Sequence, residues 1–284
     1  MAPPHLYKTE AIVLRQRRLG EADRILTLYT TAYGKLEAKA KGVRKTTSRM
    51  AGHLQPLTRC MVQLAQGRVN EVVAGCQTIE SFQALREDLH RLSRALYAAE
   101  LVDRLTPERV PGFATYRLLL ETLRHLERTE DFGPSGGSGL DPSASSGLDP
   151  SASSGLDLAL RYFEMRLLED SGFRPELGRC VTCGSTLQPQ QNFFSPQSGG
   201  IVCPSCAPGT AGPRMLSLNG LKVLRLLQRG SYNEVARLKV PPPLAQEVER
   251  HLRSYIVYIL ERDVNAAAFI ERLRRQEPAW LVEV

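Results

Sequence analysis

Lys35-Leu36-Glu37-Ala38-Lys39-Ala40-Lys41 alternates strictly, with Leu36, Ala38 and Ala40 on one side and Lys35, Glu37, Lys39 and Lys41 on the other. Successive side chains of an extended chain point to opposite faces, so the stretch predicts a strand with an apolar face toward a core and a row of lysines outward. Upstream, Ala11-Ile12-Val13-Leu14 and Arg24-Ile25-Leu26-Thr27-Leu28-Tyr29-Thr30 are β-branched or apolar runs, parted by the turn-like Leu19-Gly20-Glu21-Ala22. Downstream, Cys60-Met61-Val62-Gln63-Leu64-Ala65 and Val69-Asn70-Glu71-Val72-Val73-Ala74 form a predicted hairpin around Gln66-Gly67. Five short strands, with a longer polar insertion between the third and fourth, suit a small OB-type barrel, although other five-stranded barrels would read similarly.

The charge is concentrated in the same segment. Residues 1–80 hold 13 lysines and arginines against 6 acids, whereas the other 204 residues hold 24 of each, so the whole formal charge of +7 lies in the first 80 residues. A localised excess attracts polyanions, and the alternative is a solvated basic face without a ligand. OB barrels commonly bind oligonucleotides on the face of strands 2 and 3. The candidate contacts are therefore Lys35, Lys39 and Lys41 on the third strand, Arg44, Lys45 and Arg49 in the insertion, and Arg15 and Arg17 on the first strand. Only Tyr7, Tyr29 and Tyr33 offer aromatic rings in residues 1–80, so such a face should hold phosphates more than stack bases.

From Phe82 the period becomes helical, with Leu85, Leu89, Leu92, Leu96, Ala99 and Val102 predicting a helix that ends before Pro107, and Tyr116 to Leu126 a second. The octapeptide Gly139-Leu140-Asp141-Pro142-Ser143-Ala144-Ser145-Ser146 is then repeated at 147–154. This composition buries little apolar area, so 133–155 is expected to be a flexible loop, more simply a repeat expansion than a functional tail. Helical pattern resumes from Leu156 to Leu168 and stops at Gly172. Ser217 looks like the N-cap of a further helix, and another follows Pro241-Pro242-Pro243. The expected organisation is α+β and multidomain: an OB barrel at 1–80, then a helical domain at 81–284 with an inserted zinc module at 178–212. No apolar run is long enough to span a bilayer and Met1 to Lys8 lacks a secretory signal, so the expectation is a cytoplasmic protein.

Cys180-Val181-Thr182-Cys183 and Cys203-Pro204-Ser205-Cys206, with 19 residues between, have the spacing of a four-cysteine zinc site. The alternatives are two redox dithiols or chance. A two-residue gap lets both thiolates of a knuckle face one centre, and a second knuckle completes a tetrahedron. Asn192-Phe193-Phe194-Ser195 and Gly200-Ile201-Val202 look like the strands of a zinc ribbon, with Gly184 and Gly199-Gly200 at the turns. Four thiolates close the coordination sphere, and no His lies between residues 126 and 250 to replace one, so one structural Zn2+ is expected. Cys60 and Cys76 read as small hydrophobes, the five histidines as surface or half-buried, and Trp280 as a packing anchor. No nucleotide-binding or nucleophile motif is present, which argues against an enzyme and against a zinc-dependent hydrolase or nuclease.

Leu19-Gly20-Glu21-Ala22-Asp23-Arg24-Ile25-Leu26-Thr27-Leu28-Tyr29-Thr30, Gly34-Lys35-Leu36, Lys41-Gly42-Val43-Arg44 and Leu54-Gln55-Pro56, with Phe163-Glu164-Met165-Arg166-Leu167-Leu168, Gly172-Phe173-Arg174-Pro175, the four cysteines and Gly199-Gly200, together resemble the RecO family of DNA repair mediators. The resemblance implies an OB barrel, a helical domain and a zinc ribbon. It further implies binding to single- and double-stranded DNA, annealing of complementary strands, and cooperation with RecR in loading RecA onto DNA covered by single-strand-binding protein, in association with the nucleoid. The octapeptide repeat departs from that pattern. A zinc-ribbon RNA-binding or transcription factor is the alternative from another class.

Overall fold

A computed structural model describes residues 6–67, 69–128 and 150–276, with backbone alone at 150–154 and 274–276. The described residues divide into two compact units, one up to Glu127 together with those from Asp263 onward, the other Arg128–Arg262.

The first unit is built on five strands, β1 (Leu6–Leu19), β2 (Asp23–Thr30), β3 (Gly34–Ala40), β4 (Arg59–Ala65) and β5 (Glu71–Glu80), closed in the order β1-β2-β3-β5-β4. This is the OB-type barrel that the alternation predicts. β1 and β5 run longer than their apolar cores suggest. β1 makes the closure possible: its first half pairs with β4 (Leu6↔Ala65 to Ile12↔Arg59) and its second with β2 (Ala11↔Thr30 to Leu19↔Asp23), with a register shift between Val13 and Arg15. Such an irregularity bends one strand from one partner to the next. A short parallel pair, Ala38↔Glu71 and Lys39↔Val72, closes the circle.

The interior is filled from alternate positions, Leu26 and Leu28 from β2, Leu36 and Ala38 from β3, Cys60, Val62 and Leu64 from β4, all buried. Each fully buried leucine contributes about 2 kcal/mol through area removed from water. The insertion between β3 and β4 is less polar in effect than in composition: Val43 and Leu54 enter this core, and Leu57 is also buried. Cys60 is buried as expected, whereas Cys76 is only half-buried against the core.

Helices α1 (Gln83–Glu87), α2 (Leu89–Leu105), α3 (Phe113–Arg128) and α8 (Asn265–Gln276) belong to the same unit. The expected single helix from Phe82 is broken at Asp88, whose backbone is extended and whose carboxylate accepts from the N–H groups of His90 and Arg91 at 2.8 and 3.2 Å. An aspartate that caps the next helix competes with continuing the last one. Glu100 of α2 likewise accepts from Asn265 and Ala266 N–H at 3.0 and 2.8 Å and holds the start of α8. Arg59 joins Glu10 (2.7 Å) to Glu80 (2.8 Å), and Arg124 of α3 completes this network on Glu80.

The second unit contains α4 (Pro150–Asp170), α5 (Leu218–Arg229), α6 (Tyr232–Ala236), α7 (Pro242–Leu260) and a small sheet of β6 (Asn192–Ser195), β7 (Gly200–Val202) and β8 (Arg214–Leu216), ordered β7-β6-β8. Of the expected loop at 133–155, residues 133–149 lie outside the described residues, and 150–155 are already helical. Proline at a helix start has its φ preset and loses no hydrogen bond there, which favours an earlier beginning than Leu156. α4 ends as predicted, with Gly172 at φ +82 and Phe173 N–H reaching back to Leu168 O at 2.7 Å. Ser217 caps α5 by accepting from Gly220 N–H at 2.9 Å. His251 is buried on α7, with Nε2 3.1 Å from Met215 O, rather than at the surface. Trp280 lies outside the described residues.

Candidate nucleic-acid interface and metal centre

Two sets of residues carry chemistry, one in each unit. On the barrel, the outward row of β3 does alternate as predicted, but its members meet different surroundings. Lys35 is covered: its ammonium donates to Asp103 O of α2 and lies 3.6 Å from the Asp103 carboxylate, leaving the side chain 11% exposed. Arg109 N–H also donates to Lys35 O at 2.7 Å, so the segment after α2 lies along this end of β3. Gly34 makes that approach possible, since a Cβ there would sit 1.9 Å from Val110 O. Arg15 reaches Asp103 as well (3.3 Å) but keeps most of its surface in solvent.

The other end of β3 is open. Asp23 organises it, with one oxygen accepting from Gly42 N–H (2.8 Å) and the other 3.0 Å from Lys39 Nζ. The Gly42 N–H bond, followed by the one from Lys39, holds this carboxyl below the usual carboxylate range. Arg44 N–H donates to Ala22 O at 2.9 Å, and its guanidinium to Gly20 O at 3.3 Å, so the insertion is tied to the β1–β2 turn. Lys41, Arg44, Lys45 and Arg49 are all exposed there, and none makes an ion pair among the described residues. Arg18 at the end of β1 is exposed too. It was legible as part of the Arg15-Gln16-Arg17-Arg18 run but is not among the residues the strand pattern singles out.

Beside this basic end lies a groove of about 360 Å³, lined by Arg17, Leu19, Ile25 and Lys39 from the strands and by Val69 and Asn70 from the β4–β5 loop. Arg17, Ile25 and Lys39 stand opposite one another across β1, β2 and β3. The sequence pattern takes Val69 and Asn70 into the fifth strand, whereas β5 begins at Glu71 and leaves both in the loop. Among the described residues no aromatic ring lines this groove: Tyr29 is buried, and Tyr7 and Tyr33 pack on each other with centroids 4.6 Å apart.

In the second unit, Cys180, Cys183, Cys203 and Cys206 come together as the spacing predicts, with all four sulfurs within 4.8 Å of one another. Two knuckles form, with Gly184 N–H bonded to Cys180 O (2.9 Å) and Cys206 N–H to Cys203 O (3.1 Å), and β6 and β7 form the hairpin between them. Gly200 is needed for the second approach, because a Cβ would stand 2.5 Å from Glu176 O.

Cys183 and Cys203 Sγ are 3.9 Å apart, close to the roughly 3.8 Å that a tetrahedron with 2.3 Å metal–sulfur bonds requires. Burial opposes ionisation of Cys180, yet N–H groups of Cys183, Cys203 and Thr182 overcome it and draw its thiol down to about 6. Crowding against Cys203 and Cys183 pushes Cys206 up to about 12. Four thiols this close cannot all ionise without a cation among them, so the cluster is a possible metal site and its donors suit a soft or borderline metal.

The family model of Recombination protein O N terminal matches residues 1–82, and that of Recombination protein O C terminal matches 86–134 and 148–267. The chain is similar to the DNA repair protein RecO of Dehalococcoides mccartyi strain BAV1, with 38% identity over 96% of this chain and 98% of that protein. The RecO proteins of Roseiflexus sp. strain RS-1 (37%; 95% and 87%) and Heliobacterium modesticaldum strain Ice1 (34%; 98% and 95%) are similar over the same extent. Nearly the whole chain is covered by both kinds of match, and it belongs to the recombination protein O family, whose members act in DNA repair and recombination.

Proposed function

We propose that this protein is a non-enzymatic mediator that holds single- and double-stranded DNA by its phosphates on the open end of the barrel, anneals complementary strands, and with RecR promotes RecA loading onto DNA covered by single-strand-binding protein. We place it in the cytoplasm, with the nucleoid. The observation that carries the reading is the cluster of exposed Lys41, Arg44, Lys45 and Arg49, without ion pairs among the described residues, beside Arg17 and Lys39, on the face where OB barrels take oligonucleotides. Phosphate contacts without aromatic stacking leave bases free to pair with a second strand, which annealing requires. Lys35 is left out of the contact set, and Arg15 contributes at its edge.

In the second unit, Cys180, Cys183, Cys203 and Cys206 would hold one Zn2+. With four thiolates around it the ion has no open position, so its chemistry is to cross-link the two knuckles. A zinc-ribbon RNA-binding protein would favour structured RNA over complementary DNA strands.

The test is annealing of two labelled complementary strands by purified protein, followed by fluorescence with and without ATP. Annealing without nucleotide, lost in Lys41→Glu/Arg44→Glu/Lys45→Glu protein of unchanged melting temperature, is the expected result. Strict ATP dependence, or full activity in the charge-reversed protein, would overturn the proposal.

A further inference from the structure

Glu37 is the one acid in the outward row of β3, between Lys35 and Lys39. Its Oε2 lies 3.1 Å from Arg17 Nη2 on β1 and accepts from Asn70 Nδ2 of the β4–β5 loop at 3.4 Å. Arg17 and Asn70 both line the groove. The carboxylate therefore bridges the two sides of the groove across β2. Along the strand, Lys39 is two residues away, about 7 Å. Arg15 stands in the same cross-strand row, opposite Thr27, which is itself opposite Glu37. Of these cations Arg17 takes Glu37 as its partner, whereas Lys39 is paired with Asp23 and Arg15 with Asp103, so the anion at this point of the basic row is held by Arg17.

We infer that Glu37 stands in for a DNA phosphate: it holds Arg17 and the β4–β5 loop across the groove, and an arriving phosphodiester displaces it. This inference rests on the proposed DNA-binding face. Arg17 is half exposed and Glu37 partly so, and an ion pair open to solvent on its guanidinium side is weak enough to be exchanged. Binding then releases, on balance, one fewer counterion than with an unpaired Arg17, because the displaced Glu37 carboxylate takes one up as the phosphate loses one. Glu37 limits affinity and speeds departure of the strand, which suits a protein that must hand its DNA on.

The test is anisotropy of a labelled single strand across a salt series, with dissociation by stopped flow. Glu37→Gln should bind about fivefold tighter near 0.1 M salt, with a slope steeper by roughly 0.7 and slower dissociation. Adding Arg17→Ala should remove the gain. Glu121→Gln, which frees Arg117 from a more exposed pair on α3, matches the charge change away from the groove and should do nothing. Glu37→Thr, a strand former, serves if the glutamine variant folds poorly. Wild-type affinity and slope in Glu37→Gln, or an equal gain in Glu121→Gln or in the Arg17→Ala background, overturns the inference. Failure of the DNA-binding face itself has another signature: unchanged binding in Lys41→Ala/Lys45→Ala/Arg49→Ala protein.

Discussion

Lys35 and Lys41 have the same parity on one alternating stretch, yet replacing them should have opposite consequences. Lys35→Met keeps the aliphatic stem and removes an ammonium that serves Asp103 O and the Asp103 carboxylate, in a side chain only 11% exposed. Removing one partner of a half-buried pair costs about 1–3 kcal/mol. Arg15 still lies 3.3 Å from Asp103, so the carboxylate is not orphaned and the lower part of that range applies, about 1–2 kcal/mol. For a chain of this size that lowers the melting temperature by roughly 2–3 °C. DNA affinity should not change, because the ammonium never faces solvent freely.

Lys41→Ala/Lys45→Ala/Arg49→Ala should do the reverse. These side chains are exposed and without ion pairs among the described residues, so stability should move by less than about 0.5 kcal/mol. Three lost phosphate contacts should flatten the dependence of log affinity on log salt by about 2, a loss near 100-fold at ~0.1 M salt. Differential scanning calorimetry and anisotropy on the two proteins decide the matter. Loss of DNA binding in Lys35→Met at an unchanged melting temperature would falsify the assignment of Lys35 to packing.

The protein as purified without chelator should contain one zinc per chain by elemental analysis, and Cys183→Ser should lower both metal content and melting temperature; metal-free protein of full stability would refute the structural site. Glu80, drawn below its ordinary carboxylate range first by Arg124 and also by Arg59, contributes stability above its unfolded pKa that is lost as pH falls through the lowered folded value. Glu80→Gln should therefore be less stable at neutral pH and flatten the acid limb of an unfolding curve, and an unchanged limb would count against the network. Removing one octapeptide, 139–146, should leave melting temperature and DNA affinity nearly unchanged, since loop-closure cost varies by only about 0.6 kcal/mol per doubling of length. A clear loss of DNA binding would assign the repeat a role. Asp88→Ala should cost about 1 kcal/mol through the lost cap of α2, visible in urea unfolding.

Much of this molecule is written locally. The alternation Leu36, Ala38, Ala40 against Lys35, Glu37, Lys39 determines a half-buried strand, because side-chain direction in an extended chain depends only on parity. The two Cys-x-x-Cys pairs determine a four-sulfur centre, since a two-residue gap already turns both thiols inward. Ser217 before a leucine pattern and Gly172 after one determine helix ends through bonds that span a single turn. The break at Asp88 is equally local, but a continuous apolar period conceals it.

Only the tertiary structure decides which charges remain free. Asp103 reaches Lys35 from 68 residues away, Glu37 takes Arg17 across an intervening strand, and Asn70 joins them from the β4–β5 loop, where the sequence pattern reads strand. Parity says that a side chain points outward and nothing about what lies there. Whether an outward lysine meets water, a helix or a carboxylate depends on packing between segments remote in sequence, and that is the difference between Lys35 and Lys41.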